Sequence, residues 1–277
     1  MVELMDLQGK TAIVTGGGTG IGEAVSLKLA ARGANVIINY RSSAMEAEEA
    51  AERCQRLGVK AVAAKGDVGE DRDCRALAHI AQELGGSIDM LVNNAGTTKF
   101  AAHSDLDALS ADDFLSIYRT NLVGAYQMIR AVTPAMKAAG RGSVVNIASI
   151  AGLFGGGSST AYSSSKGALI NLTKTMARAL APTIRVNVVC PGFIATRWYE
   201  NRLPPAEYQA LLRRMIDVLP LRHSGTAEEV ADGVIFLLAE GANLVTGETL
   251  IMDSGAHLEL AMSRAGAAAS VVKHPLE

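Results

Sequence analysis

Tyr162 and Lys166, in the stretch AYSSSKGAL, have the residue types and the spacing that suit proton transfer. On a helix, side chains four positions apart share one face about one turn apart. A free phenol has a pKa of about 10 and releases its proton too slowly at neutral pH. A neighbouring ammonium favours the phenolate and lowers that pKa, which makes a better general acid–base. Helical Tyr–Lys pairs also arise by chance, so other motifs must show whether this pair belongs to a proton-transfer site.

A glycine-rich turn, IVTGGGTGIGEAV, joins the first predicted strand to the first predicted helix. Glycines let a backbone turn sharply and approach a pyrophosphate, and a helix N-terminus offers free N–H groups and partial positive charge. The pattern is G-x-x-x-G-x-G rather than the strict G-x-G-x-x-G, and it is not a triphosphatase loop. It predicts a dinucleotide site, with an ordinary strand–helix turn as the alternative. The candidate cofactor-binding residues of the turn are Gly16, Thr19, Gly20, Ile21 and Gly22.

The end of the second predicted strand, NVIINYRSS, indicates which dinucleotide binds. NAD-selective sites place a carboxylate there for the ribose hydroxyls, but no acidic residue precedes Glu46. Arg41 offers a guanidinium fork for a 2′-phosphate, and Ser42 and Ser43 add hydroxyl donors. We therefore expect NADP(H), with NAD(H) less favoured. A solvated turn that caps the next helix is the alternative explanation.

Seven short aliphatic runs alternate with longer helical stretches along the chain. Continuous aliphatic strands are typical of a parallel sheet covered by helices on both faces. We predict an α/β fold: one doubly wound, Rossmann-type domain with a parallel sheet of about seven strands in three layers. Its expected bounds are 1–260, with a substrate-side insertion at 193–223 and a tail at 261–277. Ser110 and Asp113 predict a capping box at the start of one long helix.

Composition excludes several classes of protein. The 26 basic and 28 acidic residues are dispersed, which argues against nucleic acid or an anionic membrane surface as a partner. No apolar run reaches the roughly 20 residues of a membrane span, and the N-terminus has no secretory signal. The three cysteines form no C-x-x-C pair, and the five histidines lack ligand spacing. We expect a cytoplasmic protein without a metal site.

The glycine pattern, the NNAG run at 93–96 and Tyr-x-x-x-Lys occur in this order, and together they resemble the short-chain dehydrogenase/reductase family. The resemblance extends from about Leu7 to Gly255. It implies a Rossmann-type subunit, usually of a homotetramer, that moves a hydride between a nicotinamide and an alcohol or carbonyl. The nearest resemblance within the family is to 3-oxoacyl-acyl-carrier-protein reductases.

The resemblance implies four catalytic residues: Asn121, Ser149, Tyr162 and Lys166. Tyr162 is the implied general acid–base, Ser149 binds the substrate oxygen, and Lys166 also holds the nicotinamide ribose. Asn121 is implied to anchor a water that leads from Lys166 to solvent. Two alternatives stay open, in which Asn121 binds nearby backbone and Ser149 caps the strand end.

The resemblance also implies cofactor contacts beyond the glycine turn. Two residues after the third strand would contact adenine, the NNAG run would lie along the cofactor, and residues after the sixth strand would adjoin the nicotinamide. Asn93 is expected to tie strands together instead. The implied contacts are Asp67, Val68, Asn94, Ala95, Gly96, Tyr162, Lys166, Pro191, Gly192, Ile194 and Thr196.

The expected substrate pocket is mostly apolar, which favours a carbonyl compound with an apolar body. Docking of an acidic carrier protein needs a basic rim, and the relevant stretches offer only Arg141 and Arg185. A ketone, alcohol or sugar from another pathway therefore remains an alternative, as does a catalytically silent, cofactor-binding regulator. The expected lining residues are Thr98, Phe100, Ala151, Leu153, Phe154, Phe193, Trp198 and Tyr199.

Overall fold

Strands and helices alternate throughout the computed structural model, which describes residues 5–196 and 204–258. The strands are β1 (Thr11–Val14), β2 (Asn35–Tyr40), β3 (Ala61–Lys65), β4 (Met90–Asn93), β5 (Gly142–Ile147), β6 (Ile184–Pro191) and β7 (Thr249–Met252). The helices are α1 (Gly20–Ala30), α2 (Ala44–Arg56), α3 (Asp71–Gly85), α4 (Ala111–Tyr118), α5 (Gly124–Ala138), α6 (Ala151–Phe154), α7 (Thr160–Leu180), α8 (Pro205–Val218) and α9 (Ala227–Leu238). A π-helical turn (Arg119–Val123) and a 3₁₀ turn (Glu240–Ala242) complete the helical segments.

The seven strands form one parallel sheet in the order β3-β2-β1-β4-β5-β6-β7. The chain winds from β1 outward to β3, then returns and winds from β4 to β7 in the other direction. The reversal lies between β1 and β4, and in open parallel sheets ligands bind at the carboxyl ends of the strands beside such a reversal. The predicted doubly wound α/β fold is confirmed.

Two apolar cores cover the two faces of the sheet. Adjacent residues of β1 point to opposite sides: Val14 packs with α1, α2 and α9, whereas Ile13 packs with α3, α5 and α7. All four residues of β1 are buried, as expected for a strand covered on both faces. The three predicted layers are therefore present, and they hold the carboxyl ends of the strands in fixed positions.

The predicted capping box opens α4. The Asp113 amide donates to Ser110 Oγ at 3.2 Å, and the Ser110 amide donates to Asp113 Oδ2 at 2.8 Å. The prediction of one uninterrupted helix was wrong, because the π-helical turn at Arg119–Val123 separates α4 from α5. Such turns widen a helix locally and commonly occur at functional sites. This one carries Asn121.

The predicted insertion at 193–223 contains a helix. Pro205 begins α8, since proline already has a helical φ and needs no N–H in the first turn. Ile194 forms an isolated parallel bridge with Gly225, which fixes both ends of the segment. Trp198 and Tyr199, predicted to line the substrate pocket, lie outside the described residues. No helix within the described ranges is long and apolar enough to cross a membrane.

Candidate active site

A cleft of about 350 Å³ lies at the carboxyl ends of the strands, across the β1–β4 reversal. It brings together nearly all of the catalytic and cofactor-binding residues that the sequence nominates, from the glycine turn to the segment after β6. The two exceptions among these are Gly22 and Asn121. The prediction of the substrate-pocket lining was wrong for its described residues, since none of them lines this cleft and several are exposed on the surface: Thr98, Phe100, Ala151, Leu153, Phe154 and Phe193. The nominated residues that line the cleft are Gly16, Thr19, Gly20, Ile21, Arg41, Ser42, Asp67, Val68, Asn94, Ala95, Gly96, Ser149, Tyr162, Lys166, Pro191, Gly192, Ile194 and Thr196.

The glycine turn fits a pyrophosphate. Gly16 and Gly20 have φ angles of 60° and 55°, which L-residues with a side chain rarely adopt. The Thr19 side chain makes no capping hydrogen bond to α1, so it leaves the first amides of the helix available to an anion. Two hydrogen bonds of 3.0 Å from Asn94 Nδ2 to the carbonyls of Thr15 and Gly16 fix the turn against the loop after β4.

Gly22 supports this turn by packing instead of lining the cleft. A Cβ at position 22 would lie 2.2 Å from the Gly16 carbonyl oxygen and 2.5 Å from Asn94 Nδ2. Both distances are far below van der Waals contact, so only glycine lets α1 approach the turn this closely. The third glycine of the motif therefore shapes the glycine turn indirectly.

We expect Gly22→Ala to lower the free energy of unfolding by about 2–3 kcal/mol, because the methyl group overpacks against backbone. Gly58→Ala is the matched control, since position 58 has φ of 89° but no atom within 4 Å of an added Cβ. We expect the control to cost only about 1 kcal/mol through backbone strain. Urea unfolding measures both values. Equal losses would contradict the packing role of Gly22.

Arg41 lines the cleft together with Ser42, just after β2. Its side chain is 59% exposed, and Nη1 lies 3.9 Å from Asp67 Oδ2. Asp67 is itself held by a 2.8 Å hydrogen bond from the Gly69 amide to its Oδ1. The residues just after β2 include no carboxylate, but the parallel pairing of β2 with β3 brings the Asp67 carboxylate, from the loop after β3, close to Arg41.

Helix α7 presents Tyr162 and Lys166 to the cleft. Ser159 caps the helix, because its hydroxyl accepts a hydrogen bond from the Tyr162 amide. Lys166 Nζ lies 5.7 Å from the centre of the Tyr162 ring and donates to the Ile147 carbonyl at 2.7 Å. Lys166 is only 4% exposed, and burial lowers its pKa from 10.5 to about 8. The predicted stacking of phenol and ammonium is therefore present.

Ser149 follows β5 by two residues and faces the same cleft as Tyr162. Its Oγ accepts a 3.1 Å hydrogen bond from the Ala151 amide, at the start of α6. This bond is the local capping contact that the sequence left open. It uses one lone pair, and a hydroxyl that accepts there can still donate to a substrate oxygen.

The side chain of Asn121 connects the cleft wall to α7. Its Oδ1 accepts from the Thr97 amide at 2.8 Å, and its Nδ2 donates to the Thr97 carbonyl at 3.0 Å and to Ser165 Oγ at 2.9 Å. The backbone it binds is thus remote in sequence, not local. A Cβ on Gly96 would lie 3.6 Å from both Asn121 Oδ1 and Lys166 Nζ. Asn121 therefore fixes the loop after β4 beside the lysine.

Two buried side chains that the sequence analysis passed over also hold the site. Asn146 accepts from Asn93 Nδ2 at 2.9 Å and donates to Thr173 Oγ1 at 2.9 Å, which joins β4, β5 and α7. Asn39, in β2, accepts weakly from the Gly16 amide and donates to the Gly66 carbonyl at 2.9 Å. Their signal was a polar residue inside an apolar strand. The strand-tying contact predicted for Asn93 is observed.

Comparison with known proteins agrees with this architecture. A family model described as enoyl-(acyl carrier protein) reductase matches residues 16–257. The chain is 39% identical over 251 residues to a Streptomyces violaceoruber protein that carries the name granaticin polyketide synthase ketoacyl reductase 2, covering 89% of this chain and 96% of that relative. It is 38% identical over 256 residues to the 3-oxoacyl-acyl-carrier-protein reductase of Pseudomonas aeruginosa, covering 92% of this chain and all of the relative.

Solved structures give the same result. A 7α-hydroxysteroid dehydrogenase, complexed with NADH and 7-oxo glycochenodeoxycholic acid, superposes with a TM-score of 0.85 at 31% identity, covering 92% of this chain and 97% of that one. A short-chain dehydrogenase/reductase from Mycobacterium marinum superposes with a TM-score of 0.83 at 33% identity, covering 92% and 99%. The chain belongs to the short-chain dehydrogenase/reductase family of oxidoreductases and has 3-oxoacyl-acyl-carrier-protein reductases among its relatives.

Proposed function

We propose that this protein interconverts a carbonyl and a secondary alcohol with NADP(H), and that Tyr162 is the general acid–base. One observation carries the proposal: Ser149, Tyr162 and Lys166 line the same cleft as a glycine turn suited to a pyrophosphate. The nicotinamide, when bound, supplies or accepts the hydride. The remaining chemistry is movement of one proton at the substrate oxygen, which requires groups that bind that oxygen and stabilise charge on it.

The side chains divide this work. Ser149 Oγ donates a hydrogen bond to the substrate oxygen, and Tyr162 Oη delivers its proton to that oxygen during reduction. Lys166, with a pKa of about 8, is mostly an ammonium at pH 7 and stabilises the phenolate that remains. The ammonium is also the donor we assign to the nicotinamide ribose. Asn121 holds Gly96 and Thr97 beside the lysine, and the water proposed to link Lys166 to solvent would bind near it.

We assign the 2′-phosphate of NADP(H) to Arg41 and Ser42. Charge-assisted bonds from a guanidinium to phosphate are strong and directional. The exposed position of Arg41, 3.9 Å from the Asp67 carboxylate, gives the guanidinium a partner that a phosphate can replace. Asp67 and Val68 lie at the same end of the cleft, where the adenine would bind.

Arg41→Asp should raise the KM for NADPH about 100-fold and leave the KM for NADH within about threefold, because it replaces an attraction to the 2′-phosphate with a repulsion. Arg56→Asp is the control: it makes the same charge change on α2, where the guanidinium faces Glu52. Steady-state rates with both cofactors measure the effect. Equal changes for NADPH and NADH would refute the assignment.

A 3-oxoacyl thioester is the substrate class that the relatives favour, because two of them are named as ketoacyl or 3-oxoacyl reductases. The basic rim that would bind an acidic carrier protein has few available residues. Arg185 donates to the carbonyls that end α9, including those of Leu237 and Leu238, and burial lowers its pKa. Arg141 is exposed but lies 3.5 Å from Asp89 Oδ1. Arg185 is thus occupied by contacts within the fold and cannot bind an acidic carrier protein. A ketone that is not attached to a carrier protein therefore remains the second candidate substrate.

A 340 nm assay tests the function. It crosses NADPH and NADH with 3-oxoacyl thioesters, simple ketones, steroid ketones, sugars and a 2-enoyl thioester. Turnover of a carbonyl with NADPH supports the proposal, and the preferred carbonyl separates the thioester from the free ketone. Turnover of the enoyl thioester alone would overturn it, since a carbon–carbon double bond needs no proton at oxygen. Cofactor binding without any turnover would favour a regulator.

We also propose that the 193–223 segment lies on the substrate side of the cleft, and that the protein is located in the cytoplasm. The three cysteines are free and buried, which suits a reducing compartment.

We propose in addition that the protein is a homotetramer. The helices around Asn121 support this assembly because they expose apolar side chains. Leu115 is 68% exposed, Val123 43% and Tyr126 42%.

A further inference from the structure

A set of hydrogen bonds joins the loop after β4 to the start of α7, beyond the groups assigned above. The Ala101 amide donates to the Ser158 carbonyl at 3.0 Å, and Thr98 Oγ1 lies 2.7 Å from Ser158 Oγ. His103 Nε2 lies 3.2 Å from the Gly157 carbonyl oxygen, and its Nδ1 lies 3.2 Å from Thr160 Oγ1. His103 therefore contacts the start of α7 and the residues just before it through both ring nitrogens, although it lies on the surface.

The partners fix the roles of the two nitrogens. A carbonyl oxygen can only accept, so Nε2 must carry hydrogen and donate to Gly157. In the neutral imidazole Nδ1 is then an acceptor, and the Thr160 hydroxyl donates to it. One bond holds Gly157, three residues before the start of α7, and the other holds Thr160, the first residue of α7. Thr160 lies two residues before Tyr162.

Gly157 is the critical partner because of what surrounds it. Gly155, Gly156 and Gly157 have φ angles of 76°, 98° and 78°, so three consecutive residues occupy a region that only glycine adopts freely. Such a segment loses more conformational entropy on ordering than any other sequence of its length. Gly157 lines the cleft, and a Cβ there would lie 3.5 Å from Tyr162 Cδ1. This glycine therefore lies beside the Tyr162 ring, with room for little more than its own backbone.

We propose that His103 is a positioning residue for Tyr162: its Nε2–H bond to the Gly157 carbonyl orders the triple-glycine segment and sets where the phenol points. The inference rests on the proposed function only in its catalytic consequence. His103 does not touch the reacting atoms. Small displacements of a proton-transfer group are costly, since about 1 Å can lower a rate about 100-fold.

Substitutions separate the two contacts of the ring. In His103→Gln the side-chain amide reaches the position of Nε2 and can still donate to Gly157, whereas in His103→Asn it reaches only the position of Nδ1. We expect His103→Ala and His103→Asn to lower kcat about tenfold, with KM for NADPH unchanged within twofold, because one well-placed hydrogen bond is lost. His103→Gln should recover most of that loss. His79→Ala, at an exposed histidine facing Glu83 on α3, is the control and should match the wild type.

Amide hydrogen exchange supplies a second readout that does not depend on turnover. Peptides covering 153–160 should exchange about tenfold faster in His103→Ala and His103→Asn than in the wild type or His103→Gln. Wild-type kcat in His103→Ala, rescue by Asn instead of Gln, or unchanged exchange would each overturn the inference. Failure of the wild type to reduce any carbonyl would refute the proposed function instead. The exchange rates would still show whether the bond from His103 to Gly157 orders the glycine segment.

Discussion

Tyr162→Phe should lower kcat about 1,000-fold for carbonyl reduction and leave the affinity for NADPH unchanged within threefold. The variant keeps the aromatic ring beside Gly157 and removes only the hydroxyl that carries the proton for the substrate oxygen. General acid–base groups contribute about 10²–10⁴-fold to a rate. Stopped-flow NADPH oxidation measures the chemical step, and quenching of intrinsic fluorescence measures cofactor binding.

Tyr126→Phe is the matched control for that prediction. Tyr126 lies on α5, where its ring faces Arg130, and it does not line the cleft. Removing its hydroxyl should leave kcat within twofold of the wild type. Carbonyl reduction by Tyr162→Phe at more than a tenth of the wild-type rate would contradict Tyr162 as the proton donor. A large loss in Tyr126→Phe would indicate that hydroxyl deletion disturbs the fold generally.

Lys166→Met should abolish activity and yet stabilise the fold. The ammonium of Lys166 is the cation beside Tyr162, so kcat/KM should fall about 1,000-fold. The same ammonium is buried, and its pKa of about 8 against an ordinary 10.5 means that the folded state disfavours the charge. That difference corresponds to about 3 kcal/mol at pH 7. Loss of the 2.7 Å bond to the Ile147 carbonyl offsets about 1 kcal/mol, so we expect a net gain of about 2 kcal/mol.

The gain has a defined dependence on pH. Between pH 8 and 10.5 the unfolded chain binds more protons than the folded one, so the wild-type fold gains stability as the pH rises through that window. The advantage of Lys166→Met should therefore be full below pH 8, vanish within that window and become a loss of about 1 kcal/mol near pH 10.5, where only the lost bond to the Ile147 carbonyl remains. Lys174→Met is the control, because that lysine is exposed on the same helix and should show no such trend. Destabilisation by Lys166→Met at pH 7 would contradict a buried, strained ammonium.

Local sequence patterns predicted most of the fold, and together with the family resemblance they predicted most of the catalytic and cofactor-binding residues that line the cleft. The aliphatic strands, the glycine turn and the Tyr–Lys spacing each depend on neighbours within a few residues, and each holds in the structure. The predicted capping box of Ser110 and Asp113 holds for the same reason. The π-helical turn around Asn121 did not follow from the sequence, because RTNLV has ordinary helix-forming residues and the turn depends on contacts with Thr97 and Ser165.

Contacts between remote segments account for the rest of what the sequence could not reveal. Asp67 reaches Arg41 only because β2 and β3 pair in register. His103 reaches Gly157 across 54 residues, and neither residue belongs to a motif. Asn146 could have been noticed as a polar residue in an apolar strand, but its partners Asn93 and Thr173 come from other elements. Burial of Arg185 likewise required the position of α9.

Transfer of deuterium from NADPH labelled at C4 of the nicotinamide shows whether the enzyme delivers a hydride to a carbonyl carbon. The wild-type enzyme is given each C4 epimer with a 3-oxoacyl thioester or a ketone, and mass spectrometry locates the label in the product. We expect one deuterium on the carbinol carbon, from one epimer only, with the new hydroxyl proton drawn from solvent. Label on any other carbon, or an unlabelled product with either epimer, would contradict hydride transfer to a carbonyl in this cleft.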